Sequence, residues 1–278
     1  MQSFVFIKIQ LNLITILEKL FLFVLIYTNK IKTTMNITID LLKNALSKKG
    51  YKWFTDRPNL IGIRATLDVP DSFNDFFCLV YQIPQMPKNL DLKGQQQFLN
   101  SYGFKGANGR PLAEDGVAGK NTTYALEEYN KVSGQEVLKI FPNTTNPGVY
   151  WLNNPMSKLG TAILKPNQWT DCWSLGFHQQ KTDHRALVQT GKVTVYRDSD
   201  KDNNYDLNES KVETGLFGIN IHGSNKSGSS AKIGKWSAGC QVFSNWAHKE
   251  EVMNVCEKFK TVTKNKFTYT LIDESDLA

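Results

Sequence analysis

The sequence predicts an α+β protein, a mostly β domain in the C-terminal half preceded by a small α-helical module. Two observations carry that expectation. Between Leu92 and Val132, two stretches place apolar residues at helical spacing around a turn-rich loop. From about residue 145 the chain changes to short β-like runs divided by turn signals, with one helix near the end, from about Trp246 to Lys260. A content of 41% hydrophobic and 12% aromatic residues over 278 positions is that of a packed globular chain.

Residues 1–34 are strongly apolar, but Glu18 and Lys19 interrupt the run from Leu11 to Tyr27. The uncharged remainder is far shorter than the roughly 20 residues that span a bilayer. The stretch Tyr27-Thr28-Asn29-Lys30-Ile31 offers no small-residue cleavage site. This segment is read as an apolar extension or a mis-assigned start, with Met35 opening a soluble helix and Asp40 as its cap. Membrane contact is expected only through residues 1–34, as an amphipathic anchor.

Residues 35–86 read as a small α+β segment of unassigned role. A helix runs to about Lys49, and strand-like runs at Leu60 to Ala65 and Phe76 to Ile83 flank the Pro70-Asp71-Ser72 turn. Ile83-Pro84-Gln85-Met86-Pro87 marks a boundary, because its prolines continue neither a helix nor a central strand.

Residues 88–134 then read helix, loop, helix: Leu92 to Tyr102, Gly103 to Gly119, Thr122 to Val132. The glycines at 116 and 119 are expected to take backbone conformations barred to other residues, and Asn121 or Thr122 to cap the second helix. The stretches LKGQQQFLNSYGFKG and EDGVAGKNTTYALEEYN resemble the small helical peptidoglycan-binding module of wall enzymes. Its Asp-Gly-x-x-Gly-x-x-Thr-x-x-Ala pattern falls on Asp115, Gly116, Gly119, Thr122 and Ala125. That resemblance implies glycan of the bacterial wall as a partner.

Pro142, Asn143, Asn146, Pro147 and Gly148 make a linker between Phe141 and Tyr150. Residues 145–275 follow as the β domain, with runs at Ala162 to Leu164, Ala186 to Gln189, Lys192 to Arg197 and Leu216 to His222.

The formal charge is +7, and the first 34 residues hold a net +3 of it, so the body carries +4. That balance argues against a nucleic-acid partner and suits an acidic polymer or simple solubility. Cys78, Cys172, Cys240 and Cys256 show no CxxC spacing and no histidine placed to complete a zinc site.

The chemistry lies in Gly218-Ile-Asn-Ile-His222-Gly223, a polar loop, and Trp236-Ser237-Ala238-Gly239-Cys240. A thiol of ordinary pKa, about 8.5, is mostly protonated at neutral pH, so a nucleophilic cysteine needs a base such as His222. Gly223 and Gly239 let backbone pass close to a substrate, and N–H groups near Cys240 offer an oxyanion site. The pattern resembles the signature of L,D-transpeptidases, a histidine followed after a spacer by Ser/Thr-His-Gly-Cys, with 14 residues here between His222 and Ser237.

By that resemblance Cys240 is the nucleophile, His222 the base, and Gly223 orients the imidazole through its carbonyl, with Ser237 and Gly239 completing the motif. The implied substrate is the stem peptide of peptidoglycan, attacked through a thioester. An amine then gives a cross-link and water a trimmed stem. The implied location is the cell wall, periplasm or extracellular space, with a phage origin open. The family's histidine before Gly-Cys is Ala238 here, which donates no hydrogen bond. Hydrolysis, as an L,D-carboxypeptidase or endopeptidase, is therefore an alternative to cross-linking, and a wall-binding protein without turnover is another. An unrelated cysteine peptidase is the third class. Of the other histidines, His178 ends a short apolar run and is a candidate to line the same cleft, with a surface or structural role as the first reading, and His184 and His248 read as solvated. Trp236 and Trp246 flank the cysteine and offer a wall against a sugar or peptide, with core packing as the default.

A second constellation precedes the histidine. Counting Asp198 as position one, carboxylates at Asp198, Asp200, Asp202, Asp206 and Glu209 occupy positions one, three, five, nine and twelve, with Asn204 at seven. This is the ligand pattern of an EF-hand-type loop, and its oxygen-only donors suit structural Ca2+. Asn203 stands where glycine is usual, and asparagine also accepts left-handed geometry. No organic cofactor is expected.

Overall fold

Strand β1 (Asn59–Arg64) runs parallel to β11 (Phe267–Asp273), with Leu60 opposite Tyr269 and Ile63 opposite Ile272. Segments some 200 residues apart thus share one sheet. The computed structural model describes residues 36–66 and 69–278. The expectations for residues 1–34 and for a start at Met35 lie outside the described residues. Among the described residues no helix is long and apolar enough to cross a membrane.

The chain is α+β. Eight strands close a barrel in the order β1, β11, β5 (Asn167–Phe177), β6 (Arg185–Gln189), β9 (Ile221–Gly223), β10 (Gln241–Phe243), β3 (Glu136–Thr144), β2 (Asp75–Gln82). A second sheet orders β4 (Thr161–Leu164), β7 (Val193–Asp198) and β8 (Val212–Gly215). Closure gives each stave of the barrel a neighbour on both sides. Residues 35–86 and 136–144, expected to lie outside the β domain, therefore supply three staves of the same barrel. Local periodicity reveals each strand but not its partner.

Helix α1 (Ile39–Lys48) buries Leu42, Ala45 and Leu46, one face at helical spacing. Asp40 lies within its first turn rather than before it. Helices α2 (Leu92–Ser101) and α3 (Lys120–Val132) are inserted between β2 and β3 and pack a small core of Leu99, Leu112, Ala125 and Tyr129 with Ile83. Asp91 caps α2 by accepting from Gly94 N. Gly119 is the N-cap of α3 and receives no side-chain cap, so Asn121 and Thr122 sit inside the helix. Gly116 has φ +73, whereas Gly119 at φ −111 is ordinary extended backbone.

The residue that organises this loop is Gln96, 1% exposed. Its Nε2 donates to Asp115 Oδ1, Val117 O and Thr122 Oγ1, and its Oε1 accepts from Gly116 N at 2.8 Å. All four groups of the motif loop thus meet one buried amide.

Inside the barrel Phe77 packs on Phe243 at 4.8 Å and on Tyr269 at 5.8 Å, and Trp173 meets Tyr269 edge-on at 5.5 Å. Helix α5 (Trp246–Phe259) covers the barrel with Val252, Met253, Val255, Cys256 and Phe259. Of the run expected as one strand from Leu216 to His222, only Ile221 and His222 are strand, in β9, and β8 ends before it at Gly215. Between them, Phe217 N and Ile219 N donate to the side chain of Gln189 instead of to a neighbouring strand. Helix α4 (Val149–Asn153) and strands β3 and β5 occupy stretches the sequence left as linker or unassigned.

Candidate active site

Strands β9 and β10 lie side by side and parallel, with Ile221 opposite Gln241 and His222 opposite Val242. Gln241 N donates to Asn220 O at 2.9 Å, which carries the register one step back and sets Cys240 beside Asn220. Asn220 and His222, two apart, share a face. Two segments separated by a polar loop are in this way brought together by one parallel pairing.

Cys240 is 9% exposed. Its Sγ accepts from Asn220 N at 3.4 Å and donates to Gly218 O at 3.5 Å. Burial pushes the thiol up to about 11, against the opposing effect of the Asn220 N–H. The loop before it is set by Ser237, fully buried, whose Oγ donates to Cys240 O at 2.7 Å and accepts from Gly239 N at 3.2 Å. Gly239 has φ +123, and a Cβ there would meet Ala162 O at 2.4 Å. Ala238 is half-buried between them. Of the N–H groups around the thiol, those of Gly239 and Gln241 are engaged, while that of Cys240 itself has no acceptor among the described residues.

His222 is 1% exposed, and its Nδ1 stands 2.9 Å from Gly223 O. A carbonyl only accepts, so Nδ1 carries the proton and Nε2 holds the lone pair. Nε2 is buried and unpartnered among the described residues. Burial, with His178 and His184 beside it, holds the ring well below its ordinary value, so it is neutral at pH 7. Gly223 is closely packed: a Cβ would meet Trp246 Cε3 at 3.1 Å and Lys249 Cε at 3.3 Å.

The structure places two further histidines here: His178 takes the cleft-lining alternative and not the surface one, and His184 is at the site against the expectation of a solvated position. His178 stacks on His222 at 3.9 Å between centroids, and His184 meets His222 edge-on at 5.4 Å and Trp246 at 4.6 Å. Burial lowers His178, and it lowers His184 to about 4. His248 stands apart, packed on Phe141 at 5.0 Å. Trp236 is 43% exposed, not core, and lines a cavity of about 260 Å³ with the three imidazoles. The signal for His178 in the sequence was only its place after a short apolar run. Its partner strand β5 alternates poorly, so periodicity gives it no register.

The Cys240 thiol is turned to Gly218 O, and His222 Nε2 has no partner among the described residues; a neutral thiol and a neutral imidazole react by general-base transfer, the proton leaving the thiol as sulfur attacks a carbonyl carbon. An ion pair formed in advance is not what this burial supports.

The acidic loop after β7 is held mainly by its own amides. Asp198 is fully buried; its Oδ2 accepts from Asp206 N at 3.0 Å, while Oδ1 is buried without a partner among the described residues. Burial, then the carboxylates of Asp200, Asp206 and Asp202, raise its pKa. Asp200 accepts from Asp202 N, and Asp202 from Asn204 N and Nδ2. Glu209 turns instead to Lys165 and the Tyr196 hydroxyl. Among the described residues no three His, Cys, Asp or Glu side chains are already gathered about a metal position.

Comparison of the chain with family models, with curated proteins and with solved structures finds no match.

Proposed function

We propose that the protein is a peptidoglycan-modifying cysteine enzyme of L,D-transpeptidase type, acting on stem peptides through a thioester. The observation that carries the reading is the state of His222: Nδ1–H held by Gly223 O, and a buried, unpartnered Nε2 on the face it shares with Asn220, whose N–H meets Cys240 Sγ. In the reaction, Cys240 Sγ attacks the stem carbonyl that precedes the terminal D-alanine, and its proton passes to His222 Nε2. The oxyanion lies against the N–H of Cys240. Collapse breaks the C–N bond, the amine of D-alanine takes the proton from His222, and a thioester remains. An amine of a second stem then forms a cross-link, or water releases a trimmed stem.

Hydrolysis is favoured as the second half-reaction by Ala238, which offers the incoming amine no hydrogen-bond partner where the family has a histidine. The helical insertion of α2 and α3 is read as the module that holds the wall glycan. The test is incubation with tetrapeptide muropeptides and mass-spectrometric detection of free D-alanine, beside Cys240→Ala. Release confined to the wild type supports the reading, and product mass separates cross-linking from trimming. Wall binding without release leaves a binding protein.

The loop from Asp198 to Glu209 is read as a structural Ca2+ site. Support comes from Oδ1 of Asp198, buried and without a partner among the described residues, with the carboxylates of Asp200, Asp202 and Asp206 near enough to raise its pKa. Its oxygens are hard donors, and a cation there would offset their mutual repulsion and brace the end of β7.

A further inference from the structure

Two imidazoles of this site are fixed in opposite tautomers. Asn220 Oδ1 accepts from Gln189 N at 3.0 Å, and because a backbone N–H only donates, the amide orientation is set. Asn220 Nδ2 therefore faces His178 Nδ1 at 3.1 Å and donates to it. His178 then carries its proton on Nε2, whereas His222 carries its own on Nδ1. Both rings line one cavity.

The remaining lining sharpens what that cavity accepts. Lys181 and Lys235 border it, no acidic side chain does, and neither lysine is ion-paired among the described residues. Lys235 Nζ lies over the Tyr150 ring at 4.2 Å, which steadies it at the rim. Lined by the base of the proposed reaction, a small donor-rich, acid-free cavity suits an anion on the leaving side of the scissile bond.

We propose that this cavity is a carboxylate pocket in which His178 Nε2–H, Lys181 and Lys235 receive the free C-terminal carboxylate of the leaving residue. The inference rests on the reading of Cys240 and His222 as the reacting pair. It selects stems that end one residue past the scissile bond, and it rejects cross-linked stems, where an amide replaces that carboxylate. His178, reached from β5, in this way gives the site a second imidazole that the motif around Ala238 lacks.

The test compares alkylation of Cys240 by iodoacetate and by iodoacetamide, which differ as carboxylate and carboxamide. Peptide mass mapping separates Cys240 from Cys78, Cys172 and Cys256, and the ratio of the two rates cancels changes in thiol reactivity. His178→Phe keeps a ring on His222 but removes the N–H. Lys235→Ala changes only an exposed position. The expected result is a ratio lowered about tenfold by His178→Phe and about threefold by Lys235→Ala, the former the scale of one charge-assisted hydrogen bond, with the ratio at Cys172 unchanged. A ratio unmoved at Cys240 in both variants overturns the pocket, as does a long-range nitrogen-15 spectrum showing His178 protonated on Nδ1. No muropeptide is involved, so absence of D-alanine release would remove the proposed reaction while the ratio still decides the pocket.

Discussion

The ring of His178 lies on that of His222, 3.9 Å between centroids and 22° from parallel, and Asn220 joins the first ring to the strand that meets Cys240. Two neutral imidazoles can stack so closely, whereas two imidazolium ions would repel at that range. The stack thus favours the uncharged state of both rings.

Cys240 should behave as a buried thiol. With its pKa pushed up to about 11, alkylation by iodoacetamide rises about tenfold per pH unit from 7 to 9 without a plateau. A plateau below pH 8, followed by peptide mass mapping, would show a thiolate already formed and reverse this account.

Acid should destabilise the fold through the histidines. His178, His184 and His222 are held below 6.5 chiefly by burial, His184 at about 4. Their unfolded forms take up protons first as pH falls, so stability is full above about 6.5 and declines toward 4. Thermal melts across that window should show the loss, and His184→Gln should make it shallower. A melting temperature that rises on acidification contradicts the assignment.

The loop before the nucleophile should be sensitive at two positions. Ser237→Ala leaves the buried Cys240 O and Gly239 N without their hydroxyl and costs about 1–3 kcal/mol. Gly239→Ala combines φ +123 with a Cβ 2.4 Å from Ala162 O and costs more, about 2–4 kcal/mol. Urea denaturation of both variants checks the order. Equal stability with wild type at Gly239→Ala would contradict the geometry.

Calcium should stabilise the folded chain, by about 2.7 kcal/mol at a hundredfold excess over its dissociation constant. The melting temperature is expected to rise with millimolar Ca2+, to fall back with chelator, and to respond less in Asp198→Asn. No response in the wild type ends the calcium reading.

Much of this was legible in the sequence because it is local. The runs at 60–65 and 76–83, both helices of the insertion and the helix after Trp246 follow from spacing and turn residues, and the structure keeps each within a few positions. Cys240 and His222 were named from a motif, with Gly223 as the imidazole's partner. What spacing could not give is pairing across the chain. That β1 lies beside β11, or that β3 continues through Pro142 as a barrel stave, depends on partners distant in sequence. The same limit left His178 a cleft candidate without a position; it enters the site because β5 and β6 wrap around to β9. Gln96 and Gln189 were missed for another reason: a glutamine that satisfies backbone N–H groups from inside looks like any polar residue until burial is known.

The most direct test of the central claim is D-alanine release from tetrapeptide muropeptides by wild type, Cys240→Ala and His222→Ala. The account predicts release by the wild type, none by Cys240→Ala, and a drop of at least about a hundredfold for His222→Ala, the scale of a lost general base. Release that persists in Cys240→Ala, or none from the wild type despite an intact fold, contradicts it.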